Sequence, residues 1–140
     1  MRKTTGIMMS LIAAAVALFM AASCGPVNPP QVKDLQYVGL YPQKATYNVG
    51  ETVKILFKAN NRTLVTQVTA HISLNSGLLF SGPITSGGIA AAKDTVTWII
   101  GGENSQIDYV SGSNSCIIKI REYNDGDIYD QSGTITVIAP

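Results

Sequence analysis

Between Thr52 and Ala59 the chain alternates: Val53, Ile55, Phe57 and Ala59 fall on one side of an extended backbone, Lys54 and Lys58 on the other. That period of two belongs to a half-buried strand, because successive side chains of a strand point to opposite faces of its sheet. The period recurs downstream. Leu64, Val68, Ala70, Ile72 and Leu74 oppose Gln67, Thr69, His71 and Ser73. Val96, Trp98 and Ile100 share one face of Asp94–Ile100, and in Ser115–Tyr123 the residues Cys116, Ile118 and Ile120 oppose Lys119 and Arg121. Leu35–Tyr41 and Gly133–Ile138 read as the first and last strands, and Leu78–Ser81 as a short edge strand. Asn48-Val49-Gly50, Asn60-Asn61-Arg62, Asn75-Ser76-Gly77, Gly82-Pro83, Gly101-Gly102 and Asn124-Asp125-Gly126-Asp127 supply turn chemistry between them. Ser86-Gly87-Gly88 reads as a mobile loop, and the polar stretch Glu103–Asn114 as irregular. Six or seven strands with turns about every ten residues and no helical apolar period predict one all-β sandwich.

The N-terminus has a different character. Arg2 and Lys3 precede an apolar run from Ile7 to Ala22, too short for a comfortable transmembrane helix, which needs about 20 apolar residues. A basic start, an apolar core and small residues at the end read as a secretory signal peptide. Here the small residues are Ala21-Ala22-Ser23-Cys24, which resemble the lipobox of bacterial lipoproteins. That resemblance implies cleavage before Cys24 and acylation of Cys24, with palmitate-type chains holding the protein to a membrane. Two or more chains anchor stably where one does not. The alternative is an ordinary signal peptide cleaved beside a chance cysteine. Gly25 stands where lipoproteins retained in the inner membrane often carry Asp, and no acidic run follows Cys24. In a Gram-negative host the expectation is the outer membrane, on its periplasmic face. Gly25-Pro26-Val27-Asn28-Pro29-Pro30-Gln31 is proline-rich and uncharged, a semi-rigid spacer. The predicted organisation is therefore a signal over 1–23, a lipidated cysteine and spacer over 24–33, and the sandwich over 34–140.

Removing the signal leaves eight Lys/Arg against nine Asp/Glu, with no basic run. Nothing in this balance argues for nucleic acid. The chain holds two cysteines. With Cys24 on lipid, Cys116 has no intrachain partner, and its alternation with Ile118 and Ile120 marks it as a small buried hydrophobe. The domain is then an Ig-like or fibronectin III-like sandwich without the disulfide of antibody domains. Trp98, the single tryptophan, is expected between its two sheets, with Phe57, Cys116 and Ile118 in the same core.

A further resemblance rests on Tyr47-x-x-Gly50-Glu51-Thr52-Val53-x-Ile55-x-Phe57, Thr97-Trp98-Ile99-Ile100, Cys116-Ile117-Ile118-Lys119-Ile120 and Ile128-Tyr129-Asp130-Gln131-Ser132-Gly133-Thr134-Ile135-Thr136-Val137. Their order resembles the Ig-like domain of the yeast cell-wall synthesis Kre9/Knh1-like family, also called the Ser-Thr-rich GPI-anchored membrane family, over about residues 35–140. Phe57 stands where that family usually has Trp, and Gly101 where Pro usually follows. The resemblance implies a cell-envelope module, linked in fungi to β-glucan assembly, with no catalytic residue to carry over.

Chemistry-bearing residues are few. His71, the single histidine, lies on the polar side of its strand, and no Gly-x-Ser-x-Gly elbow accompanies it, so it reads as a surface residue. Neither catalysis nor a cofactor is expected. Asp125, Asp127 and Asp130, with Glu122 and Asn124, are weak calcium candidates, since calcium wants six to eight oxygens and this run lacks the spacing of a calcium loop. Tyr109, Tyr123 and Tyr129 are candidate contacts for a sugar ring, placed near the loops at one end of the sandwich, with Tyr41 and Tyr47 elsewhere. Asp94-Thr95-Val96 resembles the short O-glycosylation motif of Bacteroidetes. The function expected is a lipid-anchored envelope module that binds or scaffolds, its partner a glycan or an envelope protein. The alternative is a carbohydrate-binding accessory protein of a glycan-uptake or cell-wall system.

Overall fold

The computed structural model describes residues 31–74, 76–85, 87–103 and 107–140. The expected signal, Cys24 and the proline-rich stretch up to Pro30 lie outside the described residues, as do Asn75 and Ser86 of the two turn motifs. Val32–Pro140 forms one compact unit.

Its elements are β1 (Leu35–Tyr41), β2 (Thr46–Asn48), β3 (Thr52–Ala59), β4 (Gln67–Ser73), β5 (Ile89–Ala90), a 3₁₀ turn (Ala91–Lys93), β6 (Thr95–Ile99), β7 (Gly112–Glu122), β8 (Tyr129–Gln131) and β9 (Ile135–Ala139). They form two sheets, β1-β3-β6 and β2-β9-β7-β4-β5, with β8 also on β7. Every pairing is antiparallel except β2 with β9. This is an all-β, Ig-like sandwich. Its nine segments fill seven strand positions, because β1 and β2 are one strand that changes sheet, and β8 and β9 run in line along one edge of β7.

Small irregularities set the phases. In β1 the register slips between Tyr37 and Gly39, leaving Val38 as an extra residue against β3. A bulge of this kind moves the following side chains to the other face. Leu40 is therefore buried while Tyr41 is exposed. The chain then crosses to the second sheet at a corner held by Tyr47, whose hydroxyl donates to the Pro42 carbonyl and accepts from the Lys44 amide, both at 3.0 Å.

A matched pair of serines borders the β4–β7 ladder, where Ile72 faces Ile118. On one side the Ser81 amide donates to the Ile72 carbonyl while its hydroxyl accepts from the Ile72 amide. On the other side Ser132 does the same for Ile118, in the gap between β8 and β9. Each hydroxyl also donates to the carbonyl of the glycine that follows. A serine thus stands in for a strand residue where the backbone leaves the ladder, and the orphaned amides remain satisfied. Ser81 therefore carries the strand-like pairing expected of Leu78–Ser81, but the edge strand beside β4 is β5, and Leu78 and Leu79 are exposed.

The core lies between the sheets. Val53, Ile55, Phe57, Val96, Trp98 and Ile100 come from the first, and Val68, Ala70, Ile72, Cys116, Ile118, Ile120 and Val137 from the second. Trp98 is completely buried, and Cys116 is a buried free thiol. At the start of β4 the apolar phase differs from expectation: Val65, not Leu64, enters the core, because the turn after Asn61 shifts the phase before the strand begins at Gln67.

The described residues between β6 and β7 are irregular as expected, yet they are tied down by side chains. Glu103 Oε1 accepts from Trp98 Nε1 at 2.7 Å, from the Tyr109 hydroxyl at 2.7 Å and from the Gly101 amide at 3.2 Å. One carboxylate thus ties the connection to the core tryptophan. Further along, the buried Asn114 side chain bonds the Val110 amide and carbonyl, so β7 begins at Gly112, three residues before the predicted Ser115.

Candidate ligand-binding surface

The outer face of the larger sheet carries a group of aromatic and cationic side chains, the tyrosines exposed and Lys119, Arg121 and Phe80 partly so. Residues of β7 that alternate away from the core are Ile117, Lys119 and Arg121, with Tyr123 just beyond the strand. On one flank Tyr129 pairs with Arg121 and Gln131 with Lys119; on the other, Thr69, His71 and Ser73 pair with Arg121, Lys119 and Ile117. Lys119 Nζ lies 4.3 Å from the centroid of the Tyr129 ring and 5.3 Å from that of Phe80. An ammonium over ring faces is held electrostatically and kept partly out of water. The Arg121 guanidinium lies over the turn between β7 and β8, where a Cβ on Gly126 would come within 3.4 Å of its Cζ and Nη2. The Nε of Arg121 is buried without a hydrogen-bond partner, and neither Lys119 nor Arg121 forms an ion pair among the described residues.

These two cations dominate the local field. His71, beneath them on β4, donates or accepts at Thr69 Oγ1 (3.1 Å) and at the Ser81 carbonyl (2.9 Å). Burial pushes its pKa below the ordinary 6.5; the Ser81 carbonyl opposes this, and Arg121 and Lys119 push it down further. The expectation of a surface histidine is thus corrected: His71 is only 9% exposed. The outer face of β4 is covered because Lys119 and Arg121, its partners on β7, and the Phe80–Ser81 segment lie on either side.

The three candidate tyrosines do not meet. β7 is eleven residues long, about 35 Å at the rise of a strand, and separates Tyr109 before it from Tyr123 after it. Tyr109 is half-buried at one end, its hydroxyl on Glu103, and burial foremost, with that hydrogen bond, pushes its pKa far up. Tyr123 and Tyr129 are near the other end and are 44% and 47% exposed. Tyr47 is buried at its corner, and Tyr41 is exposed.

The acidic candidates are similarly dispersed. Asp130 is bound to the Lys33 ammonium and accepts from the Tyr37 amide at 2.9 Å; burial raises its pKa, but these partners and the Gln131 amide together hold it below the usual carboxylate range. Asp125 accepts from the Asp127 amide, and the buried Glu122 accepts from the Asn124 and Asp125 amides. These carboxylates close a turn, and no group of three or more His, Cys, Asp or Glu among the described residues is arranged to hold a metal ion. Phe57, Trp98, Cys116 and Ile118 are all buried. Burial, then the Glu103 charge, raises the Cys116 thiol to about 12. Thr95 opens β6 opposite Leu56 and is partly exposed.

The described residues also form two shallow clefts. One, about 350 Å³, lies where β1 leaves the first sheet, lined by Tyr37, Gly39, Lys44, Tyr47 and Thr134. The other, about 300 Å³, lies between Leu74, Leu79, Phe80, Ile107 and Asp108. Sequence reasoning placed Lys119 and Arg121 outward but gave them no role. The available signal was their spacing: two cations two residues apart on one strand face, followed two residues later by a tyrosine. Phe80 had no such signal, because its position depends on the Ser81 contact.

Comparison with protein-family models, curated proteins and solved structures returned no match.

Proposed function

We propose that this chain is a lipid-anchored module of the bacterial cell envelope, with a binding role carried by the outer face of its larger sheet and no catalysis. Support for the anchor is the sequence Ala21-Ala22-Ser23-Cys24 behind a secretion signal. The lipobox resemblance carries the localisation, and the Kre9/Knh1-like pattern adds the likeness to an envelope Ig-like module. The observation that carries the binding role is the outer face of β8-β7-β4, where Tyr129, Lys119, Phe80 and Arg121 form a continuous aromatic and cationic surface. Aromatic and arginine side chains are the residue types that contribute most to recognition surfaces. Here they stand on a hydrogen-bonded sheet, so little conformational entropy opposes binding.

A photo-crosslinking side chain introduced at Tyr129 or at Lys54 in the host tests this reading. Lys54 projects from the opposite sheet and serves as the control. The reading predicts a discrete envelope adduct from position 129 and none from position 54. Equal adducts from both, or none from position 129, would overturn it.

A carbohydrate-binding accessory role is the second reading. It is favoured by the half-exposed rings of Tyr123 and Tyr129, because flat polar aromatics suit sugar faces.

A further inference from the structure

Resting on the reading of the outer face as a binding surface, we infer that its ligand is an anionic glycan, held by Lys119 and Arg121 and flanked by the rings of Tyr129 and Tyr123. Lys119 and Arg121 are two residues apart on one face of β7, a step of about 6.7 Å along a strand. Neither has a carboxylate partner among the described residues; Lys33, Lys44 and Arg62 do, while Lys54, Lys58 and Lys93 are, like Lys119 and Arg121, without an ion pair. The strand residues that face them on β4 and β8 include no carboxylate. β4 contributes Thr69, His71 and Ser73, β8 contributes Tyr129 and Gln131, and the segment before Ser81 contributes Phe80. Asp125 and Asp127 flank Gly126 in the turn by the Arg121 guanidinium, and Asp108 shares a cleft with Phe80, but none of the three forms an ion pair with Lys119 or Arg121. Asp130, although on β8, points the other way, towards Lys33 and the Tyr37 amide.

Two cations without an ion-pair partner attract an anion, but attraction alone does not select a sugar. The selection comes from what surrounds them. Lys119 is fixed between two rings, so its charge is pre-positioned and partly desolvated, which strengthens each contact to an anion. The Arg121 Nε is buried without a partner, so the outer part of the guanidinium is what faces a ligand. Tyr129 lies beside Lys119, and Tyr123 follows Arg121 by two residues with its ring near Gly88; they are 47% and 44% exposed and offer apolar faces with a polar rim. A chain of uronate residues supplies both requirements, a carboxylate for the cations and a C–H face for the rings. An acidic peptide supplies only the first.

The test is calorimetry on the full-length chain in detergent, with polygalacturonate, a neutral β-glucan and polyglutamate as probes, at low and moderate salt. Saturable binding of polygalacturonate is expected, weaker at the higher salt, with polyglutamate and the neutral glucan at least about tenfold weaker. Lys119→Gln and Arg121→Gln should each weaken binding about tenfold, the scale of one charge-assisted contact. Tyr129→Ala should weaken it comparably, Lys119→Arg should retain it, and Lys54→Ala should change nothing. Unaltered urea midpoints would show that the variants are folded. Polyglutamate bound as tightly as polygalacturonate would overturn the glycan and leave a charge-driven binding face. The neutral glucan bound as tightly, with no effect of Lys119→Gln or Arg121→Gln, would overturn the anion and leave a sugar-binding face. Binding of no probe would overturn the inference, while the crosslink at position 129 would still decide whether the face binds anything.

Discussion

Removing the Glu103 carboxylate should destabilise this domain more than any other change at a surface-connected carboxylate. Its Oε1 receives the Trp98 indole N–H and the Tyr109 hydroxyl, each at 2.7 Å, and the Gly101 amide at 3.2 Å. Trp98 is completely buried, so Glu103→Ala strands its N–H away from water. Hydrogen bonds to a charged acceptor contribute about 1.5–3 kcal/mol each, and a stranded buried donor costs about 1–3 kcal/mol. Counting the two short bonds and discounting for the partial exposure of the loop gives a loss of about 3–4 kcal/mol. That is a large share of the roughly 5–15 kcal/mol that holds an ordinary domain. At about 4 °C per kcal/mol for a domain of this size, Tm should fall by about 12–16 °C. Glu103→Gln keeps an acceptor and should lose about 1 kcal/mol; Tyr109→Phe, which removes one donor, about 1–2 kcal/mol. Urea unfolding followed by far-UV circular dichroism measures these differences without relying on the emission of Trp98, whose surroundings the substitution alters. The slope with denaturant should be unchanged, so the midpoint alone reports stability. A Glu103→Ala midpoint within about 0.5 kcal/mol of the parent would refute the claim that this carboxylate clamps the β6–β7 connection.

Two other predictions follow from buried titratable groups. His71 has a depressed pKa, so the unfolded chain binds its proton more readily than the folded one; stability is full above about pH 6.5, the unfolded value, and is lost as pH falls from there through the folded pKa. As the only histidine, it can be titrated by NMR, and a midpoint at or above 6.5 would contradict its burial under Lys119 and Arg121. Cys116, raised to about 12 by burial and then by Glu103, should resist a thiol reagent at pH 8 in the folded protein and react on unfolding; rapid labelling of the native chain would show that its surroundings are open.

Alternation made the sandwich legible. Val53, Ile55 and Phe57, and Cys116, Ile118 and Ile120, carry a phase that only one face of a sheet can bury, and the structure buries both sets. Where the phase failed, one local contact had changed it. The extra residue Val38 flips β1, and the turn after Asn61 brings Val65 into the core. His71 misled because period two distinguishes the faces of a strand but not whether the outer face is covered. Its cover comes from side chains on β7 and from the segment at Ser81, distant in sequence or outside any strand. The tyrosines misled for a related reason. Tyr109 and Tyr123 are only fourteen positions apart, yet a single long strand fills most of that interval and carries them to opposite ends. Glu103 left no pattern at all, since a carboxylate in a polar loop looks alike whether it faces water or an indole.

The anchor is the premise on which the envelope role stands, and mass spectrometry of the N-terminal peptide from the chain purified out of host membranes tests it most directly. The account predicts that the mature protein begins at Cys24, carrying the added mass of a thioether-linked diacylglycerol, with a further acyl chain on its amine. A mature chain that begins elsewhere, or an unmodified Cys24 thiol, would contradict it.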